Sequence, residues 1–301
     1  MSGITSTMMR DAVISFPMFG DLKLDPPASF TLFGKDFYFY GAILALGVIL
    51  AALYCARRSK DFGLTEDDLY GMTIWIIPVA VIFARLYFVL FYDLEYYIAH
   101  PNEILAVWKG GLAIYGGIIG GVLVGIFYCR KKKIKFFAAA DLISLGLLIG
   151  QAVGRWGNFI NREAFGGLTD VFCRMGLTAP GAETIYVHPT FLYESLWNFI
   201  GLIALAIWTK KGKRKYDGQV FLLYIFWYGL GRAWVEGLRT DSLYIGSTGI
   251  RVSQLLAAVT AVAALVVLIV LVKKQHNPEK LYVNMRNAES AAEPEKAEEE
   301  E

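Results

Sequence analysis

Cysteine and histidine are both scarce in this chain of 301 residues, at three each. Cys55, Cys129 and Cys173 are scattered and odd in number, which gives neither a disulfide framework nor metal-ligand spacing. His100, His188 and His276 are equally dispersed, so a histidine-rich metal site is not expected and the chain is read as metal-free. No serine–histidine protease elbow, no HExxH pair and no P-loop occurs, and those three chemistries are set aside. Charge is sparse too. Charged residues make up 19% of the chain and the net charge is +2, which offers no basis for a nucleic-acid partner. Residues 1–30 lack the clean apolar run and small-residue cleavage site of a signal peptide, and instead carry Asp11, Asp21, Asp25 and Pro26-Pro27.

Apolar residues are abundant, at 56% of the chain with a mean hydropathy of +0.46. They come in runs of roughly 17–23 residues, the length a bilayer requires. These fall at about 38–56, 72–92, 112–129, 137–153, 190–208, 219–235 and 250–272. With no alternating barrel strands in sight, helices are the spanning solution. The expectation is an all-α, polytopic membrane protein with seven transmembrane helices. Basic clusters follow the first, third, fifth and seventh runs: Arg57, Arg58 and Lys60; Arg130 to Lys133 with Lys135; Lys210, Lys211 and Lys213 to Lys215; Lys273 and Lys274. The positive-inside rule places all four in the cytoplasm, so the N-terminus is outside and the C-terminus cytoplasmic. Three regions result. Residues 1–37 form an extracytoplasmic or interfacial segment, in which Ile14 to Phe19 is a candidate for the interface. Residues 38–272 form the membrane domain, with 154–189 as an extracytoplasmic loop. Residues 273–301 end in an acidic stretch from Glu289 and read as a disordered cytoplasmic tail.

Polar residues crowd the expected outer ends of the spans. The densest run is Gly154-Arg155-Trp156-Gly157-Asn158-Phe159-Ile160-Asn161-Arg162-Glu163, ending at Gly166-Gly167. Polar groups this close to hydrocarbon are costly and mark a functional site, and arginine's planar fork suits phosphate. A second group is His188-Pro189-Thr190-Phe191-Leu192-Tyr193-Glu194. Pro189 suits a first helical turn and sets Glu194 about one turn below the surface, where it needs a partner. A third places Arg232, Glu236 and Arg239 on one helix face near Tyr228, where two arginines around one glutamate leave net positive charge. A fourth, Gly110-Gly111 to Gly116-Gly117 with Gly120, Gly121 and Gly125, fits close helix packing except for Tyr115, which brings a hydroxyl. Arg85, inside the second span, either snorkels or pairs with Glu194. Tyr40 lies early in the first span, and Asp141 reads as a helix-start residue. Trp108, Trp156, Trp208 and Trp227 read as interfacial anchors. The structural alternative for each charged group is a salt bridge or a satisfied helix end.

These four blocks resemble, in order and across most of the chain from Tyr40 to Arg239, the signature segments of prolipoprotein diacylglyceryl transferases. The resemblance implies a multi-pass enzyme of the bacterial plasma (inner) membrane with its active site towards the extracytoplasmic face. It would move the sn-1,2-diacylglyceryl group of phosphatidylglycerol onto the lipobox cysteine of a preprolipoprotein signal peptide, releasing glycerol-1-phosphate, with membrane lipids as further partners and no cofactor. By position, Arg155, Asn158 and Glu163 match the signature, and Arg232, Glu236 and Arg239 match the later block. Tyr40, Tyr228 and Arg85 also stand at family positions. Tyr115 stands where many members carry histidine, and Phe191 where glutamine is common.

The expected chemistry divides into two tasks. Leaving phosphate needs arginines as charge develops, which assigns Arg155 and Arg232 as a clamp with Arg239 admitting or supporting the headgroup. Asn158 would bond the headgroup, and Glu163 and Glu236 would orient the arginines; Asn161, Tyr40, Arg85, Tyr228 and Glu194 complete the binding set. The thiol must lose a proton near neutral pH, for which Tyr115 and His188 are the candidates. An outward-facing anion or phospholipid transporter or flippase is the alternative, and a non-catalytic lipid-binding scaffold a third. Transporters of that kind usually carry internal repeats, and none is visible.

Overall fold

A computed structural model describes residues 9–20, 22–32, 34–92, 94–107, 110–240, 244–245 and 248–299. Trp108 lies outside the described residues, as do the extreme ends of the two expected terminal segments. In chain order the elements are β1 (Val13–Phe16), β2 (Leu22–Leu24), β3 (Ser29–Leu32), β4 (Lys35–Tyr38), α1 (Phe39–Arg58), α2 (Glu66–Phe91), α3 (Leu94–Ala99), α4 (Ile114–Lys131) and α5 (Phe136–Ile160). There follow β5 (Met175–Thr178), β6 (Ile185–Val187), α6 (Thr190–Lys210), α7 (Gln219–Glu236), α8 (Val252–Lys273) and α9 (Tyr282–Glu299).

Helices occupy all seven expected segments, and six of the described helices are long and apolar enough to cross a membrane. The exception is α7, whose apolar run is diluted by Gln219, Gly229, Gly231, Arg232 and Glu236. The chain divides into two compact units, Met1–Leu53 with Ile143–His276, and Tyr54–Leu142 with Asn277–Glu301.

The first unit holds the β-structure that the all-α expectation omitted. Four strands pair in the order β2-β1-β5-β6, and β3 and β4 form a separate hairpin. Ile14 to Phe19 therefore does not lie free in an interface: β1 pairs antiparallel with β5, Val13 opposite Thr178 and Ser15 opposite Gly176. The apolar side of this sheet is Ile14, Phe16, Met175, Leu177 and Val187, buried against Phe159 of α5, Phe165 and Phe191 of α6. Burying several such side chains stabilises by about 1.5–3 kcal/mol each, enough to hold a sheet of short strands. In the same unit, Trp197 of α6 and Trp227 of α7 stack at 4.3 Å between ring centroids. Each indole N–H donates to the other residue's carbonyl at 2.9 Å.

In the second unit, α2 opens on a capping box: Asp68 N donates to Thr65 Oγ1 and Thr65 N to Asp68 Oδ2, both at 3.1 Å. Here α2 packs on α4 at the expected small residues. A Cβ on Gly116 would strike Phe83 O, and one on Gly120 would come within 2.7 Å of Phe83 Cβ. The acidic tail, expected to be disordered, instead carries a 3-10 turn at Pro278–Lys280 and helix α9. Leu281 and Tyr282 are buried, and Lys135 Nζ donates to Lys280 O at 2.7 Å. Those apolar residues precede the acidic run, so the composition of the last residues hid them.

Candidate active site

The signature run is not a loop at its start. Helix α5 continues to Ile160, so Arg155 and Asn158 project from its last two turns rather than from the expected 154–189 loop. The extension is possible because Gly157 gives Tyr40 room: a Cβ there would come within 2.6 Å of Tyr40 Cδ2. The chain then reverses through Arg162 and Ala164, both with left-handed φ of 49° and 58°. That reversal brings Glu163 back over the helix end, where its N–H caps Asn158 O at 3.0 Å. Glu163 Oε1 accepts from Asn158 Nδ2 at 2.9 Å and from Asn161 Nδ2 at 3.3 Å. Asn158 Oδ1 in turn accepts from Arg155 Nη1 at 3.3 Å. Glu163 thus orients Arg155 through Asn158.

Glu194 is the centre of the arrangement. Its carboxylate receives Arg155 Nη2 at 2.6 Å on one oxygen and Arg232 Nη1 at 2.9 Å on the other. Arg232 Nη2 also lies 2.5 Å from Glu236 Oε2; this is an ion pair by distance, though its angles miss those of a hydrogen bond. The two carboxylates are almost wholly buried, while side chains of Arg155 and Arg232 keep 21% and 17% of their surface exposed. Arg232 keeps the expected pairing with Glu236 and also meets Glu194, which it shares with Arg155. The part-exposed side chains of Arg155 and Arg232 are what the site presents to a ligand.

Beside this bridge, α6 and α7 pack around a narrow crevice with no room for a water-sized molecule. Glu194, Trp197 and Asn198 line it from α6, and Tyr228, Gly231, Arg232 and Val235 from α7. The walls close tightly because each indole lies over a glycine of the opposite helix. A Cβ on Gly231 would collide with Trp197 Nε1, and one on Gly201 with Trp227 Nε1.

A family model described as prolipoprotein diacylglyceryl transferase matches residues 27–270. The chain belongs to this family. Relatives named phosphatidylglycerol--prolipoprotein diacylglyceryl transferase include one from Limosilactobacillus reuteri, 43% identical over 240 residues, covering 77% of this chain and 86% of that protein. One from Clostridioides difficile is 43% identical over 249 residues, 83% of this chain and 96% of that protein. One from Bacillus cereus is 40% identical over 240 residues, 77% and 87%. The transporter alternative finds no support among them.

In this diacylglyceryl transferase, the remaining candidates fall outside the Glu194 bridge. Arg85 and Tyr115 belong to the second unit. Arg85 is buried, and it donates to four carbonyls: Glu103 O at 2.7 Å, Ile104 O and Gly110 O at 2.8 Å, and Gly111 O at 3.0 Å. It therefore neither snorkels nor needs Glu194. Tyr115 sits in the first turn of α4, 42% exposed, with its ring 6.4 Å from that of Tyr87. His188 belongs to the first unit, and its Nδ1 meets Tyr193 Oη at 3.3 Å; burial lowers its pKa below 6.5. Arg239 is held through its backbone, bridged to Gly166, while its carbonyl accepts from Arg251 Nη2 at 3.1 Å.

Sequence reasoning missed three groups. Arg162 is 3% exposed and ties the signature to the N-terminal segment, donating to Ala12 O at 3.0 Å, Pro26 O at 2.7 Å and Asp25 Oδ1 at 2.7 Å. Trp227, read from the sequence as an interfacial anchor, also forms half of the indole pair. The signal was present: tryptophan precedes glycine by four positions in both helices, Trp197 with Gly201 and Trp227 with Gly231. Asn198 gave no signal, because one amide in an apolar helix has no pattern.

Proposed function

We propose that this site transfers the sn-1,2-diacylglyceryl group of phosphatidylglycerol to the lipobox cysteine thiol of a preprolipoprotein, at the extracytoplasmic face of the plasma membrane. The supporting observation is the Glu194 bridge, which holds two part-exposed arginines, one from α5 and one from α7, around a single carboxylate. A phosphate has the same forked oxygen geometry as that carboxylate, so an arriving headgroup exchanges with Glu194 on Arg155 and Arg232. Glu194 serves as a placeholder that keeps both guanidinium groups aimed before lipid arrives.

The sulfur then forms a bond to the terminal glyceryl carbon of the diacylglyceryl group, and the bond from that carbon to the phosphate oxygen breaks. Glycerol-1-phosphate leaves with the electron pair, and its growing charge falls on Arg155 and Arg232. The thiol proton has two proposed acceptors in this chain, His188 and Tyr115. In the neutral tautomer whose Nδ1–H donates to Tyr193 Oη, His188 has Nε2 left to accept it. Asn158 bonds a phosphate or headgroup oxygen, steered by Glu163, and Glu236 steers Arg232. Tyr40, Asn161, Tyr228 and Arg239 complete the wall around the headgroup. Arg85 acts at a distance, fixing the Gly110-Gly111 turn that leads into Tyr115.

The test is glycerol-phosphate release with a lipobox peptide. Removing one donor to a developing oxyanion typically costs about 10²–10³ in rate, so Arg155→Ala and Arg232→Ala should each lose at least about a hundredfold. Near-normal release by both variants would remove the clamp.

A further inference from the structure

Arg162 takes no part in the phosphate chemistry, yet it is buried and its guanidinium is fixed on several sides. Nε donates to Ala12 O at 3.0 Å, Nη1 to Pro26 O and Ile160 O at 2.7 Å, and Nη2 to Asp25 Oδ1 at 2.7 Å. Ala12, Asp25 and Pro26 lie at the open end of the hairpin made by β1 and β2. Its ladder pairs Phe16 with Leu22, Ser15 with Lys23 and Ile14 with Leu24, and continuing that register sets Ala12 against Pro26. Pro26 has no N–H to extend the ladder. Ala12 is fully buried, where its carbonyl needs a donor. The guanidinium gives one N–H to each of the two carbonyls and so takes the place of the missing rung.

The backbone of the same residue works on the site. Arg162, at φ 49°, is where the chain reverses after α5. A side chain is held in that left-handed region only where its surroundings over-determine it, and the donations listed above do so. Arg162 N–H donates to Phe159 O at 3.1 Å, and the next N–H, of Glu163, reaches Asn158 O at 3.0 Å. Glu163 Oε1 then accepts from Asn158 Nδ2 at 2.9 Å, and Asn158 Oδ1 from Arg155 Nη1 at 3.3 Å. Contacts thus run unbroken from the hairpin, through the backbone of Arg162, to the guanidinium of Arg155. All of these residues belong to the first compact unit. A lysine could not stand in, because one ammonium lacks the planar fork that reaches both strands.

We infer that Arg162 is a positioning residue for the phosphate clamp: it registers the N-terminal hairpin against the signature turn, and so sets Glu163 and through it Arg155. It touches no substrate. The inference rests on the proposed function for the reaction whose rate is read, and not for the contacts that carry it.

The experiment is a double-mutant cycle on the full-length protein, read as glycerol-phosphate release with a lipobox peptide. Arg162→Gly removes the side chain and keeps the turn, since glycine adopts left-handed φ freely. Misplacing a catalytic group from a distance costs up to about a hundredfold. Arg162→Gly should therefore lower kcat by about ten- to a hundredfold, with KM for phosphatidylglycerol moved by less than about threefold. Arg162→Lys, which keeps the charge and loses the fork, should not restore kcat. Against a Glu163→Ala background, where the route to Arg155 is already cut, Arg162→Gly should cost less than about threefold more. A loss of the same size in both backgrounds overturns the inference, in favour of a general loosening of the fold. Near-normal kcat in Arg162→Lys overturns it as well. Calorimetry with glycerol 1-phosphate, the leaving group, repeats the cycle without turnover: Arg162→Gly should weaken binding on its own and leave it unchanged beside Glu163→Ala. If the wild type releases no glycerol phosphate, the functional reading fails and the calorimetric cycle alone decides. Equal weakening in both backgrounds, or none in either, then overturns the inference. Should Arg162→Gly not fold, Arg162→Lys takes its place in both cycles.

Discussion

Glu194 shows how one residue changes meaning between sequence and structure. Its depth below the end of α6 was legible, because proline before Thr190 marks a helix start. Its two partners were not, since Arg155 and Arg232 lie 39 and 38 positions away on either side and no local spacing connects them. Glu194→Gln keeps the shape and removes the charge. Breaking a fully buried pair costs about 3–5 kcal/mol, and the part-exposed arginines reduce this to about 2 kcal/mol. Thermal unfolding of the lipid-free protein should report that loss, while calorimetry should show tighter binding of glycerol phosphate once the competing carboxylate is neutral. Unchanged stability would mean that the bridge is not formed in solution. His188 makes a second prediction. Burial depresses its folded pKa below 6.5, so the unfolded chain takes up the proton first. The stability contribution is complete above pH 6.5 and is lost as pH falls through the folded value. His188→Gln should flatten that acid-side decline in a pH series of melting temperatures, and an unaltered slope would exclude the residue as its source.

At the scale of elements, the helices were readable and the strands were not. Long apolar runs announce themselves by length, whereas strands of three or four residues such as β1 and β5 take their pairing from a partner more than 150 positions away. The end of α5 was misplaced for a related reason. Glycine, arginine and asparagine read as a turn, yet Gly157 serves the approach of Tyr40 within helical backbone. The paired indoles of α6 and α7 carry the element-level prediction. Gly231→Ala forces the Trp197 ring to shift and should cost about 1–3 kcal/mol as overpacking. It should also lower kcat by displacing its neighbour Arg232. A variant with unaltered near-ultraviolet signal from the indoles and normal kcat would show that the lock does not position the clamp.

For the whole molecule, the alternation of basic loops gave an orientation that helix geometry alone does not supply. It is open to a labelling test at two exposed positions. In intact cells a membrane-impermeant maleimide should label Glu183→Cys, whereas Lys213→Cys should react only after permeabilisation. The reverse pattern would turn the arginine cluster towards the cytoplasm. The family-wide reading and the site geometry meet in one reaction, and its product can be weighed. Full-length protein in phosphatidylglycerol vesicles with a synthetic lipobox peptide should give a peptide heavier by one diacylglyceryl group, attached through sulfur, with one glycerol-1-phosphate released per peptide. A peptide of unchanged mass, under conditions where the protein demonstrably binds phosphatidylglycerol, would contradict the account.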